Sequence, residues 1–186
     1  MANPTWNGLL LAFAAVFAAA VAAWTANRRI DKQLDAESER LDQQLAHDRW
    51  MREVGELRSM VDEAANQGLE AGNLIHVFRN QVRWMIEEDE LPNERYASKL
   101  QAAQNAVAKM QGFVERFELR LGRGHAVPGA VGSWQLTMEE ALERFEKQPA
   151  DMEALRSGSE RLKASADRYI AFMEAARPYV RLEPPL

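Results

Sequence analysis

Ten positions, Val54, Leu57, Val61, Ala64, Gly68, Ala71, Ile75, Phe78, Val82 and Met85, follow one another at intervals of three and four residues without a miss. Such spacing puts apolar side chains on one face of a helix and predicts packing along a left-handed bundle. Tyr96, Leu100, Ala103, Val107, Met110, Val114, Phe117 and Leu121 repeat the pattern. Between the two seams lie Glu87, Glu88, Asp89 and Glu90, then Leu91, Pro92 and Asn93. Pro cannot continue a helical ladder, so this is a turn. Short connections between long helices imply antiparallel neighbours.

Small residues occupy the middle of the first seam. Ala64, Gly68 and Ala71 let a partner helix come close or leave room for its large side chains. Gly55, Gly68 and Gly72 each cost about 1 kcal/mol relative to Ala, so packing rather than propensity must hold this helix. Gly122 stands where a left-handed cap ends a helix. The glycine-rich stretch from Gly122 to Gly132, with Pro128, reads as the longest irregular segment, followed by a short helix from about Trp134 to Lys147. Pro149 interrupts it. A last helix from about Ala150 to Arg177 carries Met152, Leu155, Ser159, Leu162, Ala166, Tyr169, Met173 and Ala176, and Pro178, Pro184 and Pro185 close the chain as an extended tail. No segment alternates with period two, which argues against a sheet.

The amino-terminal region differs from all of this. Leu9 to Ala26 is uncharged and rich in Ala, with seven Leu, Phe and Val residues. As a helix its 18 residues span roughly 27 Å, about the thickness of a bilayer's hydrocarbon core. Trp6 and Trp24 sit near its ends, where indoles favour the headgroup region, and Arg28, Arg29 and Lys32 follow at once, so the pattern predicts a single span with the amino terminus outside and the bundle cytoplasmic. Small residues at Ala20 to Ala23 also suit a cleavage site, although a signal peptide would have a basic start; a core helix of a soluble protein fits less well. From Asn27 to Glu53 the chain is dense in both signs of charge without Gly or Pro, and Ile30, Leu34, Leu41 and Leu45 recur with an offset of 11 residues. That is the period of a nearly straight helical stalk, either a solvated connector or a self-associating segment.

The expected fold class is therefore all-α: a transmembrane helix over 9–26 after an extracytoplasmic start at 1–8, a charged helical stalk over 27–53, an antiparallel up-and-down bundle over 54–182 and a tail at 183–186. Without Cys there is no disulfide framework and no thiolate chemistry. The net charge of −5, with every charged side chain after the apolar stretch, excludes the basic face of a nucleic-acid binder. His47, His76 and His125 are scattered. None stands three residues after a Glu, and there is no His-Glu-x-x-His run, so the spacing offers no bundle metal site. No phosphate-binding loop and no isolated carboxylate pair is present, so no cofactor is expected and no catalysis. The one mixed segment is Gly122, Arg123, Gly124, His125. It reads as a helix cap and connector, or as a small site in which glycine backbone N–H groups, the Arg123 charge and the His125 imidazole meet an anion. Trp50, Trp84 and Trp134 lie off or at the edge of the seams, as junction packing or as contact surface.

In layout the chain resembles a group of uncharacterised membrane-anchored helical proteins of high-GC Gram-positive bacteria. The residues that carry the resemblance are Arg28-Arg29, Leu57-Arg58 with Val61-Asp62-Glu63-Ala64-Ala65, Leu119-Arg120-Leu121-Gly122 with His125, and Phe172 with Ala175-Ala176. The resemblance implies a membrane location and transfers no site residue. The functional expectation is an interaction or scaffold module at the cytoplasmic membrane face, in contact with the lipid bilayer and an unknown protein partner, self-associating through anchor and stalk. The alternative is a sensor that binds a small ligand among its Ala and Gly layers. A polar cavity near Ala64, Gly68 and Ala71 would favour the sensor and a filled seam would not.

Overall fold

The structure, a computed structural model, describes residues 4–147, 149 and 151–180, with side chains from Phe13 onward. Among them are four α-helices and no strand: α1 (Pro4–Glu87), α2 (Glu94–Leu121), α3 (Ala126–Lys147) and α4 (Met152–Val180). The chain divides into two units, Met1–Arg52 and Glu53–Leu186. The expected tail at 183–186 lies outside the described residues.

In the first unit the membrane span is overturned. No helix among the described residues is long and apolar enough to cross a membrane. Leu9 to Ala12 and Trp6 fall outside the described side chains. From Phe13 the described run extends to Ala26, before Asn27, Arg28 and Arg29. More than half of those residues are Ala, which adds little hydropathy. The single-pass localisation with an outside amino terminus, and with it the membrane-interface role of Trp24, Arg28 and Arg29, is corrected accordingly. Trp24 is exposed, with the Arg28 guanidinium 5.4 Å over its ring as a cation–π pair.

The second unit is a helical bundle whose core follows the seams. Of the ten α1 positions, all but Leu57 are buried. Contacts between α1 and α2 descend one helix as they climb the other: Gln81 accepts from Lys99 Nζ (2.8 Å), Gln67 Nε2 donates to Ala106 O (3.2 Å), Glu63 pairs with Arg116 (3.4 Å) and Glu56 with Arg120. The two helices thus run in opposite directions. The same holds for α3 against α4, where Phe145 meets Gly158 and Trp134 meets Tyr169.

Helix ends have local causes. Met85 O accepts from Glu90 N (2.9 Å) around Asp89, whose φ of 55° is left-handed, closing α1 in a Schellman-type turn. Asn93 Oδ1 accepts from Arg95 N and Tyr96 N (3.0 and 3.1 Å) to start α2. Gly122 ends it with φ 88° and ψ 151°, a positive φ that is not a left-handed helical cap. The connector is shorter than expected: α3 begins at Ala126, not near Trp134. Pro128 is its third residue, where a missing N–H costs nothing because the first turn has no intrahelical acceptor. At the other end α4 runs through Pro178 to Val180, because Tyr179 and Val180 pack against the core and offset one lost ladder bond.

Candidate functional site

At Gly68 a Cβ atom would stand 2.1 Å from Trp134 Cη2, so the α1 backbone itself makes room for the indole. Trp134 is only 2 % exposed. Phe172 stacks on its ring at 5.9 Å and 23°, and Tyr169 tilts against it at 5.1 Å. Gly158 of α4 repeats the device for Phe145, whose ring would lie 2.4 Å from a Cβ there. Ala64, Ala71 and Ile75 are enclosed as well, so the small layer of α1 is filled, at Gly68 by the indole from α3.

Where α1 and α4 part above this indole, an open groove of about 280 Å³ remains, predominantly apolar. Its floor is Trp134 and Met138. On the α1 side stand Gly68, Leu69, Gly72, Asn73 and His76; on the α4 side, Leu162, Ser165, Ala166 and Tyr169. Each wall is about two helical turns, or roughly 11 Å, long. Ser165 Oγ is spent on Leu162 O (2.7 Å), which leaves Asn73, His76 and the Tyr169 hydroxyl as the polar groups of the lining.

The groove exists because α4, which buries the expected Leu155 and Ala176 at its ends, is turned by one residue along its middle. Its buried positions are Ala154, Leu155, Gly158, Ser165, Phe172 and Ala176. Gly158, Ser165 and Phe172 are seven apart and each directly precedes an expected seam residue, Ser159, Ala166 and Met173. That strip must receive Phe145 at Gly158 and place Phe172 between Phe117 and Trp134. The expected seam residues Leu162 and Tyr169 therefore lie at the edge of the core and, with the exposed Ala166, line the groove. A heptad of Gly, Ser and Phe was a signal in the sequence, but its apolar content is weaker than that of its neighbour.

The loop candidates part company. Arg123 points outward, 3.6 Å from Glu118 Oε2, with its side chain almost wholly in solvent. His125 faces inward. Val127 N–H donates to its Nδ1 (3.2 Å), capping α3, so the neutral ring carries its proton on Nε2 and donates to Tyr179 Oη (3.0 Å). Burial pushes the Tyr179 phenol above its ordinary value. His125 N–H is itself spent on Gly122 O (3.1 Å). The two side chains do not converge, and the loop latches the carboxyl end of α4 to the start of α3. His76 lies at the groove rim, and His47 tilts against Trp50 in the first unit at 6.0 Å. Among the described residues no group of three or more His, Asp or Glu could hold a metal ion. No protein-family model, curated protein or solved structure matches the chain.

Proposed function

We propose that this protein is a non-catalytic helical interaction module that receives an amphipathic helix of a partner protein in the groove between α1 and α4, with α1 to α4 in up-and-down order as the rigid frame. The groove itself carries the reading. Its walls set Gly72, over which nothing stands within 4 Å, against Ala166 opposite, so a docked backbone can approach closely. Its length matches two turns of helix, and helix-in-groove recognition needs an apolar slot of this kind. Leu69 on the wall is 47 % exposed and offers apolar area to cover. The sensor alternative is less well served. Small-molecule pockets enclose about 300–1,000 Å³ and bury most of the ligand, whereas this groove is smaller and open along its length.

A photo-crosslinking residue at Leu69, with one at the exposed Leu119 as control, tests the reading in cells. The expected result is a discrete protein adduct from position 69 alone that disappears in Gly72→Trp, which fills the groove from an open site. An adduct insensitive to Gly72→Trp, or identical adducts from both positions, overturns it.

A further inference from the structure

Beyond His76 along α1, a second opening between α1 and α4 holds about 490 Å³ and has a different chemistry. Arg79 and Arg83 of α1 and Arg156 of α4 line it, with Met152 and Leu155 alongside. Two of the guanidiniums are fixed by carboxylates of their own helices: Arg83 Nε lies 2.7 Å from Glu87 Oε1, and Arg156 Nη2 lies 2.9 Å from Glu153 Oε1. Arg79 has no ion pair among the described residues, and its Nε is buried without a hydrogen-bond partner. Three arginines against two glutamates also leave the opening positive on a chain whose net charge is −5.

We infer that this opening is a binding site for a small organic oxyanion, a carboxylate or phosphate on a short apolar body. Arg79, partly buried in the wall of the opening and without a carboxylate partner among the described residues, takes two anion oxygens on its planar fork. Arg83 and Arg156, already oriented by Glu87 and Glu153, add positive charge at the rim. Met152, 61 % exposed, and Leu155 cover the apolar body. The site stands independently of the helix groove and survives if that reading fails.

The test titrates the full chain with sodium hexanoate and, separately, inorganic phosphate at constant ionic strength, reading Tm by circular dichroism and affinity by calorimetry. A saturable rise in Tm with either probe is expected; hexanoate alone shows that the apolar body is required, and phosphate as well shows that the head suffices. Arg79→Met weakens binding by about tenfold or more, while the exposed Arg168→Gln leaves it unchanged. Should Arg79→Met not fold, the double variant Arg83→Gln/Arg156→Gln, at exposed positions, decides in its place. No saturable response to either probe, or wild-type affinity in a folded Arg79→Met or in the double variant, overturns the assignment.

Discussion

The indole of Trp134 occupies the space that a side chain at Gly68 would need, with three ring atoms within 2.6 Å of the missing Cβ. Two helices distant in sequence are thereby keyed to one register. Gly68→Ala forces the largest buried ring of the core to move and should destabilise by about 1–3 kcal/mol. Trp134→Leu opens that space at the cost of a cavity. In the double variant the alanine is expected to cost little or to gain, giving a coupling of about 0.5–3 kcal/mol by urea unfolding. Additive losses would mean that the ring does not rest on Gly68.

Glycines inside helices should split by what lies over them. At Gly72 and Gly55 nothing stands within 4 Å of an added Cβ, whereas at Gly158 the Phe145 ring does. Gly72→Ala and Gly55→Ala are therefore expected to stabilise by up to about 1 kcal/mol through helix propensity alone, and Gly158→Ala to destabilise. Thermal melts of the three single variants check the sign of each.

This contrast also shows what was legible in the sequence and what was not. The α1 seam could be read residue by residue because its burial follows one uninterrupted spacing, and Gly68 stood out within it as a place for a large side chain. Which side chain fills it could not be read, because Trp134 stands at the start of the expected short helix, off or at the edge of its seam, just after a stretch whose glycines and Pro128 look like loop. Those residues become helical only because an N-terminal turn tolerates Pro and His125 supplies a cap. On α4 two strips one residue apart compete, Leu162-Ala166-Tyr169 and Gly158-Ser165-Phe172, and aromatic packing from α2 and α3 chooses the less apolar one. The groove is the remainder of that choice, so no local pattern encodes it.

The His125 ring holds two elements at once, the α3 start through Val127 N–H and the α4 end through Tyr179. His125→Ala should cost about 1 kcal/mol for the cap and about 1 kcal/mol for the second bond. His125→Asn restores the cap acceptor only and should recover about half. Denaturant midpoints of these variants and of Tyr179→Phe test the division; equal stability of the Ala and Asn variants would remove the capping role.

Asp89 carries the only positive φ among the described non-glycine residues. A side chain there is strained by roughly 1 kcal/mol, eased for Asp relative to bulkier residues. Asp89→Gly keeps the Glu90 N–H to Met85 O closure and should stabilise by up to about 1 kcal/mol, read as a higher urea midpoint with the m-value unchanged. Asp89→Val should lower it.

Alkaline pH should loosen the bundle through two phenols. Tyr96 is pushed above its ordinary value by burial and then by the nearby charge of Glu146, and Tyr179 by burial. Above about pH 10 the unfolded chain gives up both protons while the folded chain still holds them. The native state then binds more protons than the unfolded one, so stability falls as pH rises. Below pH 10 the contribution is fully present and flat. The two phenols sit at different places, Tyr96 against Phe78 (ring centroids 5.0 Å apart) and Tyr179 against His125, so Tyr96→Phe and Tyr179→Phe should each remove part of the alkaline slope and the double variant more. Urea midpoints between pH 8 and pH 11 read this directly. A wild-type slope that survives both substitutions would place the alkaline transition on other groups.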